Sequence, residues 1–429
     1  MERPVELEAA KKAFQPLHLE TLVQMHLIAV RSGKVEGRIK LLPFQGLLIA
    51  FDQERYILET PGADYVMGIG RSSLTLANLT IRRSSRETLD LGTGCGVQGL
   101  LAAPHSEQVT CTDLNERAVA MASFNAQLNA LSNVHCVQGH LFEPVKDRRF
   151  DLIVSNPPFV ISPESRYIYR DGGLPADRLC QQILREASAK LEEGGFCQVL
   201  CNWAEVAGRD WRETVTGWTE GLGCDTWIMR SESRDVETYA STWIQHTERR
   251  DSSNWDRRLE EWLAYFDGLG IASVGAGIIT IRRSPGKTTN WARADEAPPR
   301  MLGPCGEDVE RGFALRDFLE TVERDEHLLQ SVLRVSPDTS LEQRYVPSGD
   351  GWEEAGTRLV KTRGLAYAGT SDTLMANLVA ACDGTKPLLE VVDGVMTPLG
   401  IRREEINAPL CQAVRGLILQ GFLMPSSLT

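Results

Sequence analysis

Between residues 87 and 230 short apolar runs recur, each closed by glycine, asparagine or aspartate and each followed by a stretch with helical spacing. Residues 87–91, 108–111, 133–138, 150–154, 196–200 and 226–230 read as strands. Residues 97–103, 115–130, 177–191 and 211–222 read as helices, with Ala118, Met121, Ala122 and Leu128 on one face of the second. Regular alternation of this kind predicts an α/β fold with a parallel, doubly wound sheet. A further run, 276–282, reads as a last strand, preceded by an insertion over 231–270 that carries Trp243, Trp255 and Trp262. Tryptophans at this density are core residues more often than a stacking platform for bases, and the insertion is also placed to cover a pocket.

The flanks follow a different pattern. Residues 5–30 show apolar positions at helical spacing, including Phe14, Leu17, Leu22, Val23 and Leu27. Strand-like runs follow at 39–42, 46–51 and 56–58, and 64–70 leads into a helix over 72–80. After residue 283 a stretch rich in proline, charge and small residues, 284–304, reads as a linker. Beyond it, 309–335 reads as helical or mixed, 342–346 as a strand, and 371–382, 388–395 and 402–421 as helices. The expected organisation is a small α+β N-terminal segment over 1–85, a Rossmann-like sheet domain over 86–285, and a small, mostly helical, winged-helix-like domain over 305–429.

A length of 429 residues with 42% hydrophobic content suits two or three soluble domains. No apolar stretch reaches the length that crosses a bilayer and the first residues start no signal peptide, so the cytoplasm is the expected location and no membrane partner is expected. The ten cysteines form no repeated Cys-x-x-Cys pair and the histidines lack ligand spacing, so buried free thiols and no metal are expected. The net charge of −12 is unevenly spread. Residues 1–86 hold twelve Lys/Arg against nine Asp/Glu, a balance of +3, whereas 286–429 hold fifteen against twenty-one, a balance of −6. Arg31, Lys34, Arg38 and Lys40, with Arg82, Arg83 and Arg86, permit a phosphate-contacting face and equally fit a solvated surface.

The candidate chemistry lies at strand ends. Ser155-Asn156-Pro157-Pro158-Phe159 closes the run at 150–154. Two prolines stop the ladder and donate no N–H, so the corner is rich in carbonyl acceptors beside the Asn156 amide oxygen and the Phe159 ring. Such an inventory suits a flat group bearing an amino nitrogen, although on its own it equally describes a proline-terminated loop. Upstream, Gly92-Thr93-Gly94-Cys95-Gly96 links a strand to a helix, where backbone approaches a ligand closely. Asp113, with Leu114 and Asn115, ends the next strand, where an acidic residue binds ribose hydroxyls. Together these describe a nucleoside site, still open to nicotinamide and flavin cofactors.

The ordered set Asp90-Leu-Gly-Thr-Gly-Cys-Gly96, Asp113, Gly139-His140-Leu141-Phe142 and the Asn-Pro-Pro-Phe corner resembles class I S-adenosylmethionine-dependent N-methyltransferases. It is most similar to the HemK-like and "small domain" enzymes, which include release-factor glutamine and ribosomal RNA guanine methyltransferases, over roughly residues 65–283. The resemblance implies S-adenosyl-L-methionine as cofactor. It places Asp90, Gly92, Thr93, Gly94, Cys95, Gly96, Asp113, Leu114, Asn115, His140 and Leu141 around that cofactor. Asn156, Pro157, Pro158 and Phe159 fall at the methyl acceptor, with Asn156 touching both ligands. Many relatives carry an acidic residue where this chain has His140. Three functions follow. Phe159 in place of tyrosine and the basic N-terminal segment favour an exocyclic base amine in rRNA or tRNA. The Asp171-Gly172-Gly173 stretch after the corner favours a glutamine amide in a translation factor, although it also fits a turn capping the next helix. A scaffold that binds the cofactor without catalysis is the third.

Overall fold

A computed structural model of the chain describes residues 3–53, 64–163, 176–245, 254–284, 286–287, 289–349, 351–400 and 407–428. The expected strand at 56–58, the Asp171-Gly172-Gly173 stretch and the start of the expected helix at 402 lie outside these residues. The chain divides into two compact units: Met1–Ala77 with Arg83–Glu296, and Asn78–Arg82 with Ala297–Thr429.

The first unit begins with strand β1 (Val5–Glu6), helices α1 (Leu7–Phe14) and α2 (Leu19–Gln24), and strands β2 (Ile28–Arg31) and β3 (Lys34–Gly37). Residues 5–30 are therefore no single helix. Pro16, which has no N–H and cannot sit inside a helix, separates α1 from α2. Past α2 the backbone turns at His26 with φ +56°, and Ser32 and Gly33, both at positive φ, close the tight β2–β3 hairpin. A second hairpin joins β4 (Ile39–Phe44) to β5 (Leu47–Asp52).

Helix α3 (Arg71–Leu79) precedes a strand–helix alternation that builds the main sheet. Its members are β6 (Ser85–Leu91), α4 (Val97–Ala102), β7 (Ser106–Asp113), α5 (Glu116–Leu128), β8 (Val134–Gln138), β9 (Phe150–Ser155), α6 (Arg178–Lys190), β10 (Leu191–Val206), α7 (Trp211–Gly217) and β11 (Cys224–Asp235). The inserted helices α8 (Val236–Gln245) and α9 (Trp255–Gly268) follow, then β12 (Ile271–Arg283) and β13 (Ala292–Glu296). The sheet runs β13-β11-β12-β10-β9-β6-β7-β8. From β8 to β10 every pairing is parallel, while β12 lies antiparallel between β10 and β11. This is the order of a class I methyltransferase sheet, with β13 added at one edge. The strand order reverses between β6 and β9, so their C-terminal ends open the crevice where α/β sheets bind ligands.

Part of the segment read as a linker is thus a strand. Asp225, fully buried, anchors it by accepting from Arg282, Lys287, Asn290 and the Trp291 N–H. Burial raises the Asp225 pKa, but these donors, together with the Ser284 hydroxyl, overcompensate and hold it below its ordinary value.

The inserted tryptophans divide by role. Trp262 and Trp255 are buried, and Trp262 meets the Phe266 ring edge to face at 6.1 Å. Tyr239 ties α8 to the sheet, its hydroxyl accepting from Asn202 Nδ2 at 2.8 Å and from the Ile161 N–H at 3.1 Å. Trp243 instead faces a cleft. All ten cysteines are unbridged and all but Cys136 are buried.

The second unit holds strand β14 (Met301–Leu302), helices α10 (Gly306–Thr321) and α11 (Asp325–Gln330), and strands β15 (Val332–Val335), β16 (Thr339–Ser348), β17 (Gly351–Lys361), β18 (Gly364–Leu365) and β19 (Ala368–Ser371). Then come α12 (Thr373–Ala381), β20 (Asp383–Pro387), α13 (Leu388–Met396), α14 (Asn407–Leu419) and β21 (Leu423–Pro425). Beside its helices it carries two three-stranded sheets, β20-β15-β21 and β16-β17-β19. The β16–β17 ribbon is largely solvent-facing, with mixed charges on both strands, so no apolar alternation marks β17 in the sequence.

Candidate active site

The glycine turn follows directly from the end of β6. The N–H groups of Gly92 and Thr93 both donate to the Thr112 carbonyl, at 2.9 and 3.0 Å, so the turn is sewn to the end of β7. Gly92 and Gly94 sit at φ +70° and +56°, and a Cβ built on either meets nothing within 4 Å: their backbone faces open space. Gly96, expected beside them, has a different duty. A Cβ there falls 2.6 Å from Leu100 Cδ1 and 3.0 Å from Ala122 Cβ, so this glycine lets α4 and α5 pack closely.

Asp90 is buried beneath the turn and organises it, Oδ2 accepting from Thr93 Oγ1 at 2.5 Å and from the Gly99 N–H at 2.8 Å. Burial pushes its carboxyl up to about 6 from 3.8, against the pull of those two donors. A raised folded-state pKa gives stability that is complete below the unfolded value and lost as pH rises through the folded one. Relative to an Asp90→Asn variant, the unfolding free energy of the native chain is therefore expected to fall by about 2 kcal/mol between pH 4 and pH 7. Urea denaturation of both proteins across that range checks it, and a pH-independent difference would contradict it.

Asp113 ends β7 with each carboxylate oxygen holding one backbone donor: Oδ2 the Gly94 N–H at 2.8 Å, Oδ1 the Asn115 N–H at 2.9 Å. Acceptor capacity remains on both oxygens. Burial raises its pKa, opposed by the Asn115, Gly94 and Leu114 N–H groups. Asn115 caps α5 through the Arg117 N–H at 2.9 Å, and Leu114, half exposed, offers an apolar shelf. With Thr93, Cys95, Gly139, His140 and Leu141 these residues enclose a cavity of about 320 Å³. His140 stands at its exposed rim, and Leu141 follows at φ +46°. Glycine backbone open to the cavity, a carboxylate with unused acceptors and an apolar shelf fit S-adenosylmethionine.

Asn156, Pro157 and Pro158 line the same cavity at the end of β9. Asn156 Nδ2 donates to Ser72 Oγ at 3.3 Å, while Asn156 Oδ1 is buried with no hydrogen-bond partner among the described residues. A buried amide oxygen left so is costly unless a ligand supplies the missing donor. Phe159 opens instead onto a second, larger cleft of about 860 Å³, which shares Tyr65, Met67 and Gly68 with the first. Its walls include Phe51, Tyr239 and Trp243, with Lys40 and Arg71.

Several wall residues escaped the sequence reading. Ser72 and Ser73 fall within residues 68–75, a stretch that the resemblance sets beside the methionine end of the cofactor without giving either residue a role; Gln98 is recognisable only from the fold, where Nε2 donates to the Ser73 carbonyl at 2.9 Å and pins α3 to the glycine turn. Arg83 is engaged internally, donating to the Gly194 carbonyl at 2.6 Å and lying over the Phe196 ring at 4.9 Å.

Residues 68–207 match the family model described as the methyltransferase small domain. A release factor glutamine methyltransferase of Geobacter sulfurreducens is 36% identical over 223 residues, 46% of this chain and 72% of that relative. This chain belongs to the HemK-like class I methyltransferases. A second release factor glutamine methyltransferase, from Xylella fastidiosa, is 33% identical over 139 residues, 29% of this HemK-like chain and half the length of the relative. A ribosomal RNA small subunit methyltransferase C of Salmonella arizonae is 29% identical over 180 residues, 41% of the chain and 49% of the relative. Residues 310–425 of this HemK-like protein match a family model described as a domain of unknown function, DUF7782. No helix among the described residues is long and apolar enough to cross a membrane, and no group of three or more metal-ligating side chains gathers among them.

Proposed function

We propose that the chain methylates a planar nitrogen of a macromolecule, with an exocyclic base amine of rRNA or tRNA as the acceptor. The observation that carries the reaction is the buried, unpartnered Oδ1 of Asn156 on the wall of the cofactor cavity. S-adenosylmethionine, when bound, supplies a methyl group already activated on a sulfonium. What the protein must add is alignment, dryness and acceptors. A base or amide nitrogen is a poor nucleophile because its lone pair is delocalised. Asn156 Oδ1 and the Pro157 carbonyl accept its hydrogens and stabilise the positive charge that develops on it. No general base is needed, because the nitrogen loses its proton only after it has become acidic.

The larger cleft supports the base reading. Its 860 Å³ and aromatic walls exceed what a glutamine side chain fills, and Lys40 and Arg71 on those walls supply cations that would suit a nucleotide's phosphates. The N-terminal segment, residues 1–85, contributes Lys40, Leu42 and Phe51 to those walls and is the substrate-recognition part in this reading. A glutamine amide of a translation factor is the second reading, favoured by the 36% identity to a release factor glutamine methyltransferase. Tritiated methyl transfer into rRNA, tRNA and protein fractions separates the two. Label in RNA is expected, and label in protein alone would sink the base reading.

A further inference from the structure

Building on that reading of the Asn156 corner, we propose that Ser72 is a positioning residue for the transfer. It fixes the Asn156 side-chain amide with Oδ1 toward the target nitrogen, and it presents its own hydroxyl hydrogen to the acceptor atom beside that nitrogen. An asparagine amide offers an oxygen or two N–H groups depending on which way round it sits, and only the oxygen stabilises an amine that is gaining positive charge. With Nδ2 held by Ser72 Oγ at 3.3 Å, the oxygen is the atom left over, buried and unpartnered. The other orientation would leave N–H groups in that place, pointing at the hydrogens of the incoming amine.

Ser72 is placed to act on both sides. Asn156 belongs to the wall of the cofactor cavity and Ser72 to the wall of the larger cleft, so the bond between them spans the partition through which the methyl group must pass. Because Ser72 Oγ accepts from Asn156, its O–H remains to donate, and the Asn156 contact is its one hydrogen bond among the described residues. The planar groups in question share one pattern: an amino nitrogen next to an acceptor, whether the ring nitrogen of a base or the carbonyl oxygen of an amide. Asn156 Oδ1 and the Ser72 hydroxyl form the complementary acceptor–donor pair.

The mounting is rigid. Ser72 lies in the first turn of α3, whose next residue, Ser73, accepts from buried Gln98 at 2.9 Å through its carbonyl and from the Gly70 N–H at 3.4 Å through its hydroxyl. Gln98 itself sits on α4, just after the glycine turn. Cofactor turn, α3 and Asn156 are thereby joined by hydrogen bonds running through one another.

The test uses the full chain with selective ¹⁵N-asparagine labelling. The Asn156 side-chain NH₂ pair is identified by its loss in Asn156→Ala. Ser72→Ala is expected to shift this pair and speed its exchange with water, and Ser72→Thr, which keeps the hydroxyl, to leave it near its native position. An unmoved pair in Ser72→Ala would overturn the contact whatever the activity. In transfer assays on the fraction that native protein labels, Ser72→Ala is expected to lose at least tenfold in kcat/KM, with S-adenosylmethionine affinity within twofold and Ser72→Thr within threefold of native. Transfer by Ser72→Ala within twofold of native would overturn the positioning role. Native protein that shifts its amide signal as expected but labels no fraction would refute the methyl-transfer reading and leave the contact standing, so the two failures are distinct.

Discussion

Asn156→Ala is expected to lower the rate of methyl transfer about a thousandfold, equivalent to roughly 4 kcal/mol of transition-state stabilisation, while S-adenosylmethionine affinity stays within about tenfold. The split follows from where the side chain spends its hydrogen bonds. One goes to Ser72 at 3.3 Å and the other, from buried Oδ1, is reserved for the incoming group. An interaction made only with the target as its charge develops lowers kcat and kcat/KM together when it is removed. Truncation to alanine also lets water into a corner that Phe159 and the two prolines otherwise keep apolar, which weakens the remaining Pro157 acceptor. Single-turnover transfer with saturating cofactor measures the first effect and calorimetry the second. Retention of more than a tenth of the native rate would remove Asn156 from the chemistry.

The second large effect is expected at Asp113. Asp113→Ala should weaken S-adenosylmethionine binding a hundredfold or more, because hydrogen bonds to a charged group contribute about 1.5–3 kcal/mol each and a ribose offers two hydroxyls. The same change strips the acceptor from the N–H groups of Gly94 and Asn115, now held at 2.8 and 2.9 Å, so the glycine turn keeps only its Thr112 bonds to β7. Asp113→Asn, which keeps one side-chain acceptor, should fall between. Titration calorimetry of the three proteins measures this, and unchanged affinity in the alanine variant would place the ribose elsewhere. Native protein that binds S-adenosylmethionine but labels neither RNA nor protein would instead support the scaffold reading.

The parallel core was legible because its central strands, β9 and β10 above all, are buried on both faces. Residues such as Leu89, Val109, Ile153 and Val199 are fully buried, and uninterrupted apolar runs announce that situation without any tertiary knowledge. The glycine turn, Asp113 and the Asn156 corner were legible for a related reason: each is a stretch of adjacent residues whose backbone needs are specific. Gly96 shows the limit. Its letter belongs to the motif, but its contacts with Leu100 and Ala122 depend on two helices meeting, which no local pattern records. The larger cleft was legible only in pieces, Phe159 at the corner and Trp243 on the insertion, since its other walls, Lys40, Phe51 and Ser72 among them, come from separate segments that no local pattern brings together. At the N-terminus, apolar spacing over 5–30 concealed two helices and part of a hairpin, because Phe14, Leu22 and Leu27 keep a helical rhythm across the break at Pro16. The edge strand β13 was hidden by its composition, Ala-Arg-Ala-Asp-Glu, which reads as solvent-facing and is held by Asp225 from another strand.

The wedge position of β12 bears on how this protein is made. Gln198 pairs with Thr280 across an interval that the ribosome must translate in full, and Trp227 pairs with the same Thr280 from the other side. Until that strand emerges, β10 and β11 each present an unpaired edge carrying Val199 and Leu200 or Ile228 and Met229 to the surroundings. Closure of the sheet is therefore a late, long-range event in synthesis, and a nascent chain stalled before residue 271 is sticky on both of those edges.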